Sequence, residues 1–287
     1  MHERTGSDET GSGETGSDRT GTGREPEIRA AGFRLFDRGA HLAEWHPPKA
    51  ARPVLFSGSL ATIGEGRAWR GGVPLCVPWF GSGPDGRRSP AHGPARTALW
   101  RRLPAGAGET RHRLVLNRDA TGGSATIELL AGTRRGDEEL DSTLEIRNAG
   151  LAPVVVEAAL HSYLAVSDVR EVRLRGLEHA PFLDKTTGRR EPAAPGIPLG
   201  GAVDRIYDSS DEPLELHDPG WERVLRIERA GSSRVVVWNP GPDGGPADLA
   251  PGEWLDFLCV EAAAVGDGSL HLAPGEAHLL RSRLRLG

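Results

Sequence analysis

The chain has 287 residues and a formal net charge of −5, with 35 Lys and Arg against 40 Asp and Glu. This length fits one large domain or two small ones, and the near-balance of charge leaves no basic footprint for nucleic acid and no polybasic membrane anchor. The 39 glycines and 22 prolines favour turns over long helices without reaching low-complexity proportions.

From Thr5 to Gly23 the chain repeats TGSDE, TGSGE, TGSDR and TGTG without one large apolar side chain. Such a segment cannot bury enough surface to offset its ordering entropy, so residues 1–26 are expected to be a disordered tail. The polar N-terminus lacks the apolar core of a secretion signal and no apolar stretch is long enough for a membrane helix, so a cytoplasmic protein is expected. From Glu27 onward short apolar runs are separated by Gly, Pro, Asp and Asn, the pattern of many strands joined by turns. Leu144-Glu145-Ile146-Arg147 and Val172-Arg173-Leu174-Arg175 alternate apolar with charged residues, as half-exposed strands do. Val154 to Val166 and Trp254 to Val265 are apolar on both faces, which predicts strands in the middle of packed sheets. No composition break divides residues 27–287, so the sequence predicts one large all-β sandwich domain. Cys76 and Cys259 lie in apolar runs far from any metal-ligand spacing and read as buried free thiols; no metal is expected. Lys49 and Lys185 are the only lysines, and no function is drawn from either.

Each central run holds one residue that does not belong in a dry core: His161 in ALHSY and Glu261 in LCVEA. Burying either costs free energy unless it is paired. A His in a cleft titrates near neutral pH and an unpaired buried carboxyl takes up a proton, so the two brought together would form a general acid/base pair. Taken singly, each reads better as a satisfied structural group, a hydrogen-bonded core histidine or an ion-paired strand-end glutamate, and it is their joint occurrence in the two most apolar strands that points to a shared site. The second constellation is Arg70-Gly71-Gly72, followed by Trp79 and then by His92-Gly93-Pro94-Ala95-Arg96 and Trp100. Here the paired glycines read as room for backbone to approach a ligand, and Arg70 and Arg96 as forked donors for a phosphate or carboxylate. The plain alternative is a surface loop in an arginine-rich chain. No GxxxxGK[ST] cradle is present, so nucleotide phosphates are not suggested.

RGGVPLCVPWFG, HGPAR with Trp100, LHSYLAVSD, VDRIY, VVVWNP and FLCVE occur in that order from Arg70 to Glu261. Together they resemble the hexose-6-phosphate mutarotases, or glucose-6-phosphate 1-epimerases, of the aldose 1-epimerase superfamily, over about Phe33 to Leu286. The resemblance implies a galactose-mutarotase-like β-supersandwich with no metal and no organic cofactor, acting as a monomer on a small sugar phosphate. It implies His161 as catalytic acid, Glu261 as catalytic base, Asp204 and His92 as groups holding sugar hydroxyls, and Arg70 with Arg96 facing the phosphate. Pro94 stands where the family usually carries Phe or Leu, which is expected to open space beside the sugar. Two other readings share the fold: an epimerase for unphosphorylated aldoses, and a carbohydrate-binding protein without turnover.

Overall fold

The computed structural model describes residues 25–287 except Ser124 and Ser210, so the repeat expected to be disordered lies outside the described residues. Where apolar and charged residues alternate, strands form with one wet face. Glu139–Asn148 buries Leu140, Leu144 and Ile146 while Arg147 is exposed, and Arg173–Arg175 buries only Leu174. These two belong to an eight-stranded antiparallel sheet, ordered Arg173–Arg175, Leu214–Asp218, Arg223–Ala230, Ala277–Leu286, Glu139–Asn148, Ile127–Arg135, Glu109–Leu116 and Arg101–Leu103.

The runs that are apolar on both faces build a second eight-stranded sheet, which carries the site. Its order is Arg189–Glu191, Phe182–Asp184, Val203–Asp208, Arg234–Asn239, Phe257–Ala264, Ala158–Leu160 and Leu75–Cys76, with Tyr163–Ala165 also paired to Phe257–Ala264. One face, bearing Val235, Val237, Leu258, Val260 and Leu164, meets Leu129, Leu144, Ile146 and Leu280 of the first sheet in the main core. Each such side chain contributes about 1.5–3 kcal/mol when fully buried, which fixes the register of both sheets. The other face is covered by the long connection from Trp45 to Arg101, whose Phe56 and Phe80 pack on Tyr163, Phe257 and Val236. A three-stranded sheet, Glu27–Ala30, Phe33–Phe36 and His41–Trp45, leads into that connection.

The run from Val154 to Val166 is three strands and not one: Val154–Val156, Ala158–Leu160 and Tyr163–Ala165. The first of these pairs with Leu270–Leu272, away from the site sheet. Glu157 marks the first break, because its carboxylate is buried and accepts from the N–H groups of Phe80 at 3.0 Å and Gly266 at 2.9 Å. His161 and Ser162 form the second; their N–H groups donate to the carbonyls of Pro74 and Leu160. Similarly, a 3-10 turn over Glu253–Asp256 precedes the strand Phe257–Ala264. The helical elements among the described residues are four short 3-10 turns, and no helix there is long and apolar enough to cross a membrane. Cys76 and Cys259 are buried free thiols, as expected.

Candidate active site

Strand register lays out the site. Leu160 pairs with Ala262 and Tyr163 with Cys259, one antiparallel register that sets His161 opposite Glu261. Further across the sheet Glu261 pairs with Val236, Cys259 with Trp238, and Trp238 with Asp204, while the Lys185 N–H donates to the Asp204 carbonyl at 2.8 Å. Opposed residues share a face, and so do alternate residues along a strand. Tyr163, His161, Glu261, Trp238, Asp204 and Lys185 therefore line one cavity of about 300 Å³.

The facing wall comes from the Trp45 to Arg101 connection, which contributes Arg70, Phe80, His92 and Arg96. Gly71 and Gly72 have φ of +115° and +65°, and added Cβ atoms would lie 2.4 Å from the Phe56 carbonyl oxygen and 2.0 Å from that of Leu42. The paired glycines thus admit close passage against the protein's own backbone, not against a ligand, and this passage delivers Arg70 to the cavity. Next along the wall, His92 has a φ of +66°. Pro94 then opens the 3-10 turn Pro94–Arg96, where its fixed φ suits the first position. Pro94 itself is not among the residues that line the cavity.

All six residues given a site role from the sequence, Arg70, His92, Arg96, His161, Asp204 and Glu261, border this cavity, whereas Trp79 and Trp100 are buried away from it and donate to the carbonyls of Pro90 and Ala95. Sequence reasoning passed over Lys185, Tyr163 and Trp238. Lys185 Nζ lies 3.1 Å from Asp204 Oδ2, and its one signal was scarcity in a chain with two lysines. Tyr163 and Trp238 read as core residues, because nothing local distinguishes an aromatic that lines a pocket from one that fills a core.

On the cavity floor His161 Nε2 and Glu261 Oε1 are 3.4 Å apart, on side chains 7% and 1% exposed. Neither Glu261 oxygen, nor His161 Nδ1, has a hydrogen-bond partner among the described residues. The fold does satisfy a buried carboxylate elsewhere, at Glu157, so the bare oxygens of Glu261 stand out. Burial pushes the Glu261 carboxyl well above the usual carboxylate range, with Asp204 adding to the effect. Burial likewise pushes His161 well below its ordinary value, with His92, Arg96 and Arg70 adding. Both directions favour an uncharged pair that holds one proton between its two members.

Toward the rim the groups are charged and partnered unevenly. Arg70 Nε donates to Asp248 Oδ1 at 3.0 Å and its Nη1 donates to the Tyr163 hydroxyl at 2.8 Å. Arg96 has no ion-pair partner among the described residues, and its Nε is buried without a hydrogen bond. The Gly81 N–H donates to His92 Nδ1 at 3.3 Å, and burial pushes this imidazole down to about 3, so it is neutral with its proton on Nε2. Burial raises the Asp204 carboxyl while Lys185 opposes that shift. Among the described residues no group of three or more His, Cys, Asp or Glu could hold a metal ion.

A sequence model described as aldose 1-epimerase matches residues 30–285. A provisionally named glucose-6-phosphate 1-epimerase of Escherichia coli K12 is 29% identical over 272 residues, covering 90% of this chain and 87% of its own. The crystal structure of a provisionally named mutarotase from Salmonella typhimurium superposes with a TM-score of 0.78 at 26% identity, covering 89% of this chain and 86% of that one. A galactose mutarotase-like protein from Lactobacillus casei shares the fold at 14% identity, with a TM-score of 0.70 over 92% of this chain and all of its own.

Proposed function

This chain belongs to the aldose 1-epimerase family, a family of isomerases, and on that premise we propose that it interconverts the α and β anomers of a hexose 6-phosphate, with glucose 6-phosphate foremost. Anomerisation opens the sugar ring, which takes a proton from the C1 hydroxyl and gives one to the ring oxygen. The observation that carries the reading is a fully buried carboxylate, neither oxygen hydrogen-bonded among the described residues, 3.4 Å from an imidazole on the floor of a sugar-sized cavity. A sugar-binding module without turnover has no use for such a group and would satisfy it, as the fold satisfies Glu157.

Glu261 acts as base at the C1 hydroxyl and His161 as acid at the ring oxygen. Charged and uncharged forms of the pair hold the same single proton, so the passage from protonated Glu261 to protonated His161 needs no exchange with solvent. A C1 hydroxyl donating to Glu261 and a ring oxygen accepting from His161 both favour the charged form as the sugar seats. After the open-chain sugar turns its C1 group over, the roles reverse and the ring closes on the other face. Asp204 accepts from sugar hydroxyls and His92 Nε2–H donates to one, which holds the remainder of the sugar while C1 rotates. Arg96, with the free edge of Arg70, binds the phosphate through charge-assisted hydrogen bonds.

A second reading, the same chemistry on an unphosphorylated aldose, draws support from Asp248, which already occupies Arg70. NMR exchange between anomers, measured with glucose and with glucose 6-phosphate, separates the readings. The expected result is exchange that rises with enzyme concentration and is faster for the phosphorylated sugar. Equal acceleration of both sugars would move the assignment to a general aldose epimerase, and acceleration of neither would leave a binding protein.

A further inference from the structure

A catalytic imidazole is usually held in place by a hydrogen bond to its second nitrogen. His161 has none to another residue: its Nδ1 is buried with no partner from elsewhere among the described residues. Rotation about the bond to an imidazole ring is otherwise broad, so something else must orient it. The ring lies parallel to Tyr163, with centroids 4.9 Å apart and planes at 9°, and meets the edges of His92 at 5.6 Å and Trp238 at 6.1 Å. Tyr163 is itself immobilised. Its ring packs on Phe257 at 5.2 Å, and its hydroxyl accepts from Arg70 Nη1, whose Nε and Nη2 are held by Asp248. An unbroken chain of contacts therefore runs from Asp248 at the rim through Arg70 and Tyr163 to the ring on the floor.

We propose that Tyr163 is the positioning residue for His161, and that through Arg70 it couples an anion at the cavity rim to the proton-transferring pair. This deepens the proposed epimerase reading and rests on it. Aromatic stacking at this separation fixes the imidazole plane, and the electron-rich phenol face attracts the imidazolium that the reaction requires. Of the five guanidinium N–H donors of Arg70, two remain free for an anion, so a bound phosphate pulls on the same side chain that anchors Tyr163.

The test compares kcat and KM of wild type, Tyr163→Phe and Tyr163→Leu on glucose 6-phosphate and on glucose. Tyr163→Leu removes the stack and is expected to lower kcat on the order of 10²-fold for both sugars while KM stays within roughly threefold, the signature of a misplaced reacting group. Tyr163→Phe keeps the stack and is expected to restore kcat on glucose to within about threefold of wild type. Having lost the link to Arg70, it is also expected to lose about tenfold of the advantage that phosphorylation confers. Wild-type kcat in Tyr163→Leu, or no rescue by Tyr163→Phe, overturns the proposal. Should Tyr163→Leu fail to fold, Tyr163→Phe decides alone: an undiminished phosphate advantage overturns the proposal and a reduced one supports it. A wild type that turns over both sugars alike removes the coupling and overturns it as well. Failure of the epimerase reading is seen separately, as a wild type that accelerates neither sugar, and it takes this inference with it.

Discussion

The floor and the rim border one cavity of about 300 Å³, yet they are built to opposite rules. On the floor, His161 and Glu261 are buried beside each other without a hydrogen-bond partner for His161 Nδ1 or either Glu261 oxygen among the described residues, and burial pushes both toward their uncharged forms. At the rim, Arg70 is bound to Asp248 and Lys185 to Asp204, all partly open to water, while Arg96 has no carboxylate partner among the described residues. A proton moves readily between groups whose charged and uncharged forms are close in free energy, and burial brings the floor toward that condition. Grip on an anion needs charge that never changes, and arginine supplies it. The contrast assigns rate to the floor and substrate preference to the rim.

That assignment can be broken by variants that act on one zone alone. The largest effect is expected on the floor: His161→Asn keeps size and should lower kcat by at least the roughly 10²–10⁴-fold ascribed to positioned proton transfer, for phosphorylated and free sugar alike. Steady-state kinetics on folded protein check this, and a fall confined to one sugar would dissolve the distinction. A smaller and selective effect is expected at the rim. Arg96→Ala removes a charged donor that has no ion-pair partner among the described residues, so the phosphate's advantage in kcat/KM should shrink about 10- to 100-fold while turnover of the free hexose is preserved. Equal losses for both sugars would show that Arg96 serves the fold or the floor.

The smallest effect concerns stability. Glu261 keeps its proton in the folded protein at pH values where the unfolded chain has released it. At this group the folded state then binds more protons, so the contribution of Glu261 to stability falls as pH rises above about 4.3, the ordinary Glu value. Glu261→Gln cannot titrate, so it should melt above wild type at pH 7, with the gap closing as pH drops below about 4. Thermal melts across that range read the sign directly. A wild type more stable than Glu261→Gln at pH 7 would mean that the carboxyl is satisfied after all.

Much of this was legible in the residues. An acid and a base inside the two most apolar runs announced the floor, because burial without a partner is costly and rarely kept without use. The strand class was legible from period-two alternation, as in Leu144 to Arg147. Hidden from sequence was whatever depends on which strands become neighbours. Lys185 reaches the cavity because its backbone lies beside Asp204, and Tyr163 meets His161 where His161 and Ser162 leave the ladder between Leu160 and Tyr163. The glycines after Arg70 could be recognised as special positions, but whether ligand or backbone approaches them is decided by the fold around Phe56 and Leu42. Glu157 escaped notice for the same reason, since its partners are backbone N–H groups far away in sequence.

The central claim is that the Glu261 carboxylate on the buried floor takes the proton from C1, whatever sits at the rim. Its most direct test is NMR anomer exchange catalysed by Glu261→Gln, run beside wild type on glucose 6-phosphate and on glucose. The account predicts that exchange falls at least roughly 100-fold on both sugars and that the ratio between the two sugars is unchanged. Folded Glu261→Gln turning over either sugar at near wild-type rate would contradict it.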